Sequence, residues 1–244
     1  TGSTSGDITL TGTTTALDEV LMTSLAGSIN GAGLLTGDTV ALNAASGIGN
    51  TTDMELSASN ISADTTVGDV EIANSLGTAV SVSSLTTGTG SVSFSQSGGG
   101  NLVTGNVAAS DTVGLSNSAG DIALAGSVAS TDLVVTSSGA VTDGPDGDLA
   151  ISGLAQVTAS SIELGNDAGN TTNFGSLTFT SGGLVTISED TSLDLVGVNT
   201  AGSADLDSTA AVSDAGATSV DITGLLDVSG TGITLGSSTF NAGS

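Results

Sequence analysis

The stretch running from Ile151-Ser152-Gly153-Leu154 to Ser161-Ile162-Glu163-Leu164-Gly165 returns as Ile222-Thr223-Gly224-Leu225 to Gly232-Ile233-Thr234-Leu235-Gly236, an offset of about 71 residues. The match extends backwards without a gap, Ala140-Val141-Thr142-Asp143 answering to Ala211-Val212-Ser213-Asp214. It also runs forwards, where Thr172-Asn173-Phe174-Gly175-Ser176 has a near counterpart in Thr239-Phe240-Asn241-Ala242-Gly243-Ser244. A chain that repeats itself in this way stacks its units in one dimension, each burying its apolar edge only against its neighbours. The second copy stops where the first continues into the strand of Leu177. Residues 1–244 therefore read as one segment of a longer array, with copies at 151–221 and from 222 onward.

The period is 2 almost everywhere along the chain. Asp7-Ile8-Thr9-Leu10-Thr11, Asp69-Val70-Glu71-Ile72-Ala73, Ser91-Val92-Ser93-Phe94-Ser95, Ser176-Leu177-Thr178-Phe179-Thr180 and Leu184-Val185-Thr186-Ile187-Ser188 all alternate, in most cases apolar with hydroxyl residues. Each predicts a short strand with one buried and one solvated face. Gly, Asn and Asp punctuate them every eight to twelve residues or so, the all-β signal. Ala16-Leu17-Asp18-Glu19-Val20-Leu21-Met22 has helical spacing, but its neighbours make it strand or loop.

A sandwich and a solenoid both use such strands. A sandwich of 244 residues would bury bulky aromatics between its sheets, and this chain has four Phe and no Trp or Tyr. The narrow interior of a parallel β-helix takes stacked Val, Ile, Leu and Ala instead. The fold expected is all-β, a parallel β-helix (β-solenoid) of about ten coils, which at about 4.8 Å per coil makes a rod near 50 Å long. If the long repeat holds a whole number of coils, each has about 24 or about 18 residues; the Gly-led strand starts at Gly68, Gly90, Gly120 and Gly147 sit nearer the first.

The charge removes most chemistry. There are 25 Asp and Glu, and no Lys, Arg or His, for a formal charge of −25. Nucleic acid is repelled, because binding it needs cationic side chains that displace counterions from phosphates. Without His or Cys there is no catalytic triad, thiol nucleophile or zinc site. No apolar run approaches the roughly 18 residues of a membrane helix, so membrane insertion is not expected. The start, Thr1-Gly2-Ser3-Thr4, has no charged or apolar leader character. What remains open is the hard-cation site built of carboxylates and carbonyls.

Asp143-Gly144-Pro145-Asp146-Gly147-Asp148 is the densest acidic loop and holds the single Pro. Asp143, Asp146 and Asp148 on a Gly-rich turn form a candidate Ca²⁺ ligand set, the one cofactor the composition leaves available. The alternative is a solvated turn between coils, which the repeat favours: the second copy keeps Asp214 but has Ala217 and Ser219 at the other two positions. Glu189-Asp190 offers a carboxylate pair of the kind glycoside hydrolases use. With no aromatic platform for a sugar ring nearby, the pair reads as a solvent-facing strand end, as does Asp18-Glu19, and no enzyme activity is expected. Elsewhere, Asp at coil corners caps backbone N–H groups. Like charges stacked on successive coils repel, which accounts for an outward face of Ser and Thr.

Gly6-Asp7-Ile8-Thr9-Leu10, Ala45-Ser46-Gly47-Ile48-Gly49-Asn50, Ser138-Gly139-Ala140-Val141-Thr142-Asp143 and Asn173-Phe174-Gly175-Ser176-Leu177-Thr178-Phe179 resemble segments of very large bacterial repeat proteins. These are the filamentous-haemagglutinin-like and autotransporter-like adhesins. The resemblance covers nearly the whole chain as a style of sequence. It implies a right-handed parallel β-helix, secretion to the bacterial cell surface, and a structural role as adhesin stalk or extracellular filament subunit. The partners it implies are further copies of the same repeat, stacked head to tail, and surface glycans. A calcium- or glycan-binding surface module is the second reading and a polysaccharide-active β-helix enzyme the third.

Overall fold

The computed structural model describes residues 2–214, 216–236 and 239–242. Thr1, and the Gly243-Ser244 pair that ends the second repeat copy, lie outside them. Every strand pairing among the described residues is parallel, and none of these residues is helical. The chain winds as a β-solenoid of about 11 turns. Ala16–Met22 does not form a helix; strand Glu19–Ser24 begins inside it.

Alternation dictates the cross-section. In Val92–Gln96, Val92, Phe94 and Gln96 point inward and Ser93 outward. The inward residues stack turn upon turn. Val70, Val92, Val113, Leu133, Ala155, Leu177 and Leu195 form one axial column, joined by successive parallel registers. Leu102, Ile122, Val141, Ile162, Val185 and Ala204 form a second on the next face. Leu42, Ala63, Leu85, Val107, Val128 and Leu149 form a third. Nearly all of these side chains are fully buried. Three faces enclose a core one side chain deep, which is why Phe94 and Phe179 are its largest members.

The turn length differs from either value expected. The steps along the three columns average about 21 residues, and those of the second, from Leu102 to Ala204, about 20. Three turns beyond Val141 stands Ala204, whereas the repeat partner of Val141 is Val212, which pairs with Leu193 and Ile233. The long repeat thus spans three turns and about a third of another, and each copy is displaced by one face. The premise of a whole number of coils does not hold. The physical reason is that all three faces make the same demand, an inward Val, Ile or Leu alternating with an outward hydroxyl, so a sequence that suits one face suits the next.

Corners are closed by inward polar residues at strand ends. Asn74, Gln96, Asn117 and Ser137 share one column. The Asn74 amide donates to Gln96 Oε1 at 2.8 Å, and Gln96 donates to the Leu76 carbonyl at 2.6 Å. Asn117 donates to the Gly100 and Asp121 carbonyls, and Ser137 to that of Gly120. These groups donate to corner carbonyls, those of Asp121 and Gly120 being shared with the amides of Leu102 at 2.9 Å and Gly139 at 3.2 Å. Gly49 (φ +72°) is needed for a second reason, since a Cβ there would stand 2.1 Å from the Glu71 carbonyl oxygen.

The inward–outward assignment predicts a sharp contrast. Leu124→Ala, fully buried in the core, should cost about 2–5 kcal/mol in a denaturant titration. Val134→Ala, on the solvent face, should stay within about 0.5 kcal/mol of the parent. Equal effects would contradict the registers.

Candidate functional site

The outer faces are shallow and lined by Ser, Thr, Ala and Gly, so the chemically distinctive groups are the carboxylates. Several are engaged by backbone amides of the adjacent turn. Asp7 Oδ1 accepts from the Ser28 amide at 2.8 Å and its hydroxyl at 3.0 Å, which hold its pKa below the ordinary carboxylate value. Asp69 accepts from Ser91 N, Asp121 from Ala140 N and Asp132 from Leu154 N, each at 2.8 Å. Asp64 Oδ1 accepts from the hydroxyls of Ser84 and Thr86, both at 2.6 Å. The expectation of corner Asp caps is met. With no cation in the chain, amide and hydroxyl donors do the work that Lys or Arg does elsewhere.

The candidate calcium loop does not converge. Asp143 turns inward, 8 % exposed, in line with Leu124 of the preceding turn. Its Oδ2 accepts from Gly165 N at 2.7 Å and from the Asn170 amide at 3.3 Å, while Oδ1 is buried without a partner. Desolvation raises its pKa, against those two hydrogen bonds. Asp148 Oδ1 instead accepts from Thr171 N at 2.7 Å, and Asp146 faces solvent. Among the described residues no group of three or more acidic side chains is arranged to hold a metal ion. At Asp143, which is buried, the turn is not merely solvated.

Glu189 departs most from the sequence reading. It is buried, 1 % exposed, and not a solvent-facing strand end. Its Oε1 accepts from Phe174 N at 2.8 Å and from the Thr191 hydroxyl at 3.0 Å; Oε2 is buried with no hydrogen-bond partner. Burial pushes its pKa up to about 7. Its neighbour Asp190 reaches back to accept from Thr172 N at 2.8 Å. The pair is thus divided between two backbone amides of the preceding turn. Asp18 and Glu19 are exposed, as read. A usable signal existed for Glu189: Val185, Ile187 and Glu189 share one parity, and so do Val141 and Asp143. Parity outranks the usual preference of a carboxylate for water when the strand continues to its end.

Like charges do stack at one place. Asp205 and Asp227 are direct register partners, with Asp207 beside them. Desolvation, and then the charges of Asp207 and Asp227, raise the pKa of Asp205. Glu71 is raised in the same way, by desolvation and by Asp53 and Asp69. No protein-family model, curated protein or solved structure matches the chain.

Two measurements follow from these carboxylates. Glu189 ionises near its ordinary 4.5 in the unfolded chain and near 7 in the fold. Its contribution is therefore complete below about 4.5 and is lost as the pH climbs through 7. Thermal melts should give a higher Tm at pH 5 than at pH 8, and Glu189→Gln should reduce that difference. Separately, Asp227→Asn should raise stability at neutral pH by a few tenths of a kcal/mol, a gain that about 1 M salt erases by screening.

Proposed function

We propose that the chain is a structural segment of a secreted bacterial cell-surface solenoid, acting as an adhesin stalk or as a subunit of an extracellular filament. The observation that carries this reading is the continuous parallel ladder from strand Gly2–Thr4 to strand Thr239–Ala242, which makes the molecule a rod whose backbone bonds lie along its length. Ser, Thr and Asp side chains such as Ser84, Thr86 and Asp64, or Ser28 and Asp7, tie adjacent turns together along the axis, which suits a mechanical element. The resemblance to filamentous-haemagglutinin-like and autotransporter-like adhesins supports the same reading, as does a composition without cationic, thiol or imidazole groups for catalysis.

Stacking of further turns on the ends, from the same array or from another copy, follows from this proposal. Ile233 belongs to the column of Leu193 and Val212, both buried, yet is itself 51 % exposed. Among the described residues its strand, Gly232–Thr234, pairs on one side only, with strand Ala211–Asp214, and a ladder edge of that kind is a template for another strand. The charge of −25 opposes approach of a second rod, so association should strengthen with ionic strength.

Electron microscopy with light scattering tests the proposal. Purified protein at raised concentration should give rods that lengthen as salt increases from about 0.05 to 0.5 M, with an axial spacing near 4.8 Å. Uniform monomers under all those conditions would count against filament formation. Shortening or compaction that depends on calcium alone would favour a ligand-binding module instead.

A further inference from the structure

The ladder is not equally strong at every level. Strand Thr172–Ser181 shares nine register pairs with the preceding turn through Leu149–Ala159. Towards the following turn it has a single pair with each of two short strands, Leu177 with Leu195 and Thr180 with Thr200. The step from Leu177 to Leu195 is also short, so the following turn lacks the length to lay a full strand alongside. Three side chains stand in for the missing carbonyls. Thr172 N donates to Asp190, Phe174 N to Glu189 and Phe179 N to Asn199 Oδ1 at 3.0 Å.

Of the three substitutes, Glu189 is the one enclosed and ionisable. A charge on it would lie in the interior with no cation available from the chain. The titratable groups on the elements around it are all acidic: Asp190 beside it, Glu163 on strand Ser161–Leu164, Asp207 on strand Ser203–Ser208 and Asp194 on strand Leu193–Leu195. Strand Thr172–Ser181, which it caps, carries none. Only a proton can neutralise Glu189 from within this set. Protonated, its free oxygen becomes a donor and Oε1 keeps its acceptor role towards Phe174 N.

We propose that the junction after strand Thr172–Ser181 is a proton-operated joint in the rod, closed when Glu189 is neutral and loosened when it ionises. Loosening would free the amides of Thr172 and Phe174 and let strand Thr172–Ser181 part from the following turn, while the six register pairs between Leu184–Glu189 and Ser203–Ser208 keep the two turns joined on the next face. The raised pKa of Glu189 puts this transition between mildly acidic and neutral conditions. The joint is independent of whether the rod serves as stalk or filament.

Amide hydrogen exchange, corrected for the intrinsic pH dependence of exchange, tests the joint in the whole chain. Between pH 5 and pH 8 the protection of segment 172–181 should fall by about tenfold or more, while that of Thr112–Asn117 holds. Glu189→Gln keeps the acceptor oxygen and removes the charge, so its protection should be high and flat across the same range. Equal loss in both segments, or the parent's slope surviving in Glu189→Gln, would overturn the proposal. Carboxyl ¹³C shifts of the parent protein give a check that needs no variant: titration of Glu189 at its ordinary 4.5 would overturn it equally.

Discussion

The axial hydrogen-bond ladder governs every other feature of this molecule. In a parallel solenoid each strand is both donor and acceptor to the turns on either side, so the backbone is satisfied only where successive turns match in length. Where they match, side chains are free to pack: inward Val, Ile and Leu in columns, outward Ser and Thr in rows. Where they do not, a side-chain oxygen has to stand in. Asn74 does this near the N-terminal end, accepting from Ala58 N and donating to its carbonyl, and Glu189, Asp190 and Asn199 do it towards the other end. The variation in turn length about a mean near 21 therefore sets where buried polar residues occur.

The absence of any cation gives those substitutions their character. In most proteins a carboxylate near the core meets Arg or Lys, and the pair neutralises itself. Here Asp7, Asp64 and Asp121 find backbone or hydroxyl donors instead, whereas buried Asp143 and Glu189 have raised pKa values despite such donors. The two outcomes differ by geometry alone. Asp7 sits at an open corner with two donors and full access to water. Glu189 sits at an inward position with donors on only one of its oxygens, so desolvation outweighs the hydrogen bonds.

Much of the architecture was legible in the sequence because alternation is a local property. The strands around Val92, Ile122, Leu177 and Val185 could be read from period 2, and the poverty of aromatics pointed to a core one side chain deep. The turn length was not legible. It depends on which face each strand occupies, and the repeat conceals this because the faces are chemically equivalent: Val141 and Val212 have similar neighbours in sequence but lie on different columns. The carboxylate sites were half legible. The Asp caps followed from turn chemistry, but Asp143 and Glu189 were assigned to solvent by residue type when their parity with Val141 and Ile187 pointed inward.

That error has a general cause in this fold. An alternating strand must end somewhere, and its last inward position falls at a corner where apolar packing gives way to carbonyls turning between faces. A hydroxyl or amide suits that position, as Ser137, Gln96 and Asn117 show, because it fills the corner and donates to those carbonyls. A carboxylate has the same size as an amide but lacks its donor unless it is protonated. Glu189 at such a position is thus an amide's shape with its donor controlled by pH. This makes the strand-end column the place where a chain without cations can carry a charge-dependent element while leaving its fold class unchanged.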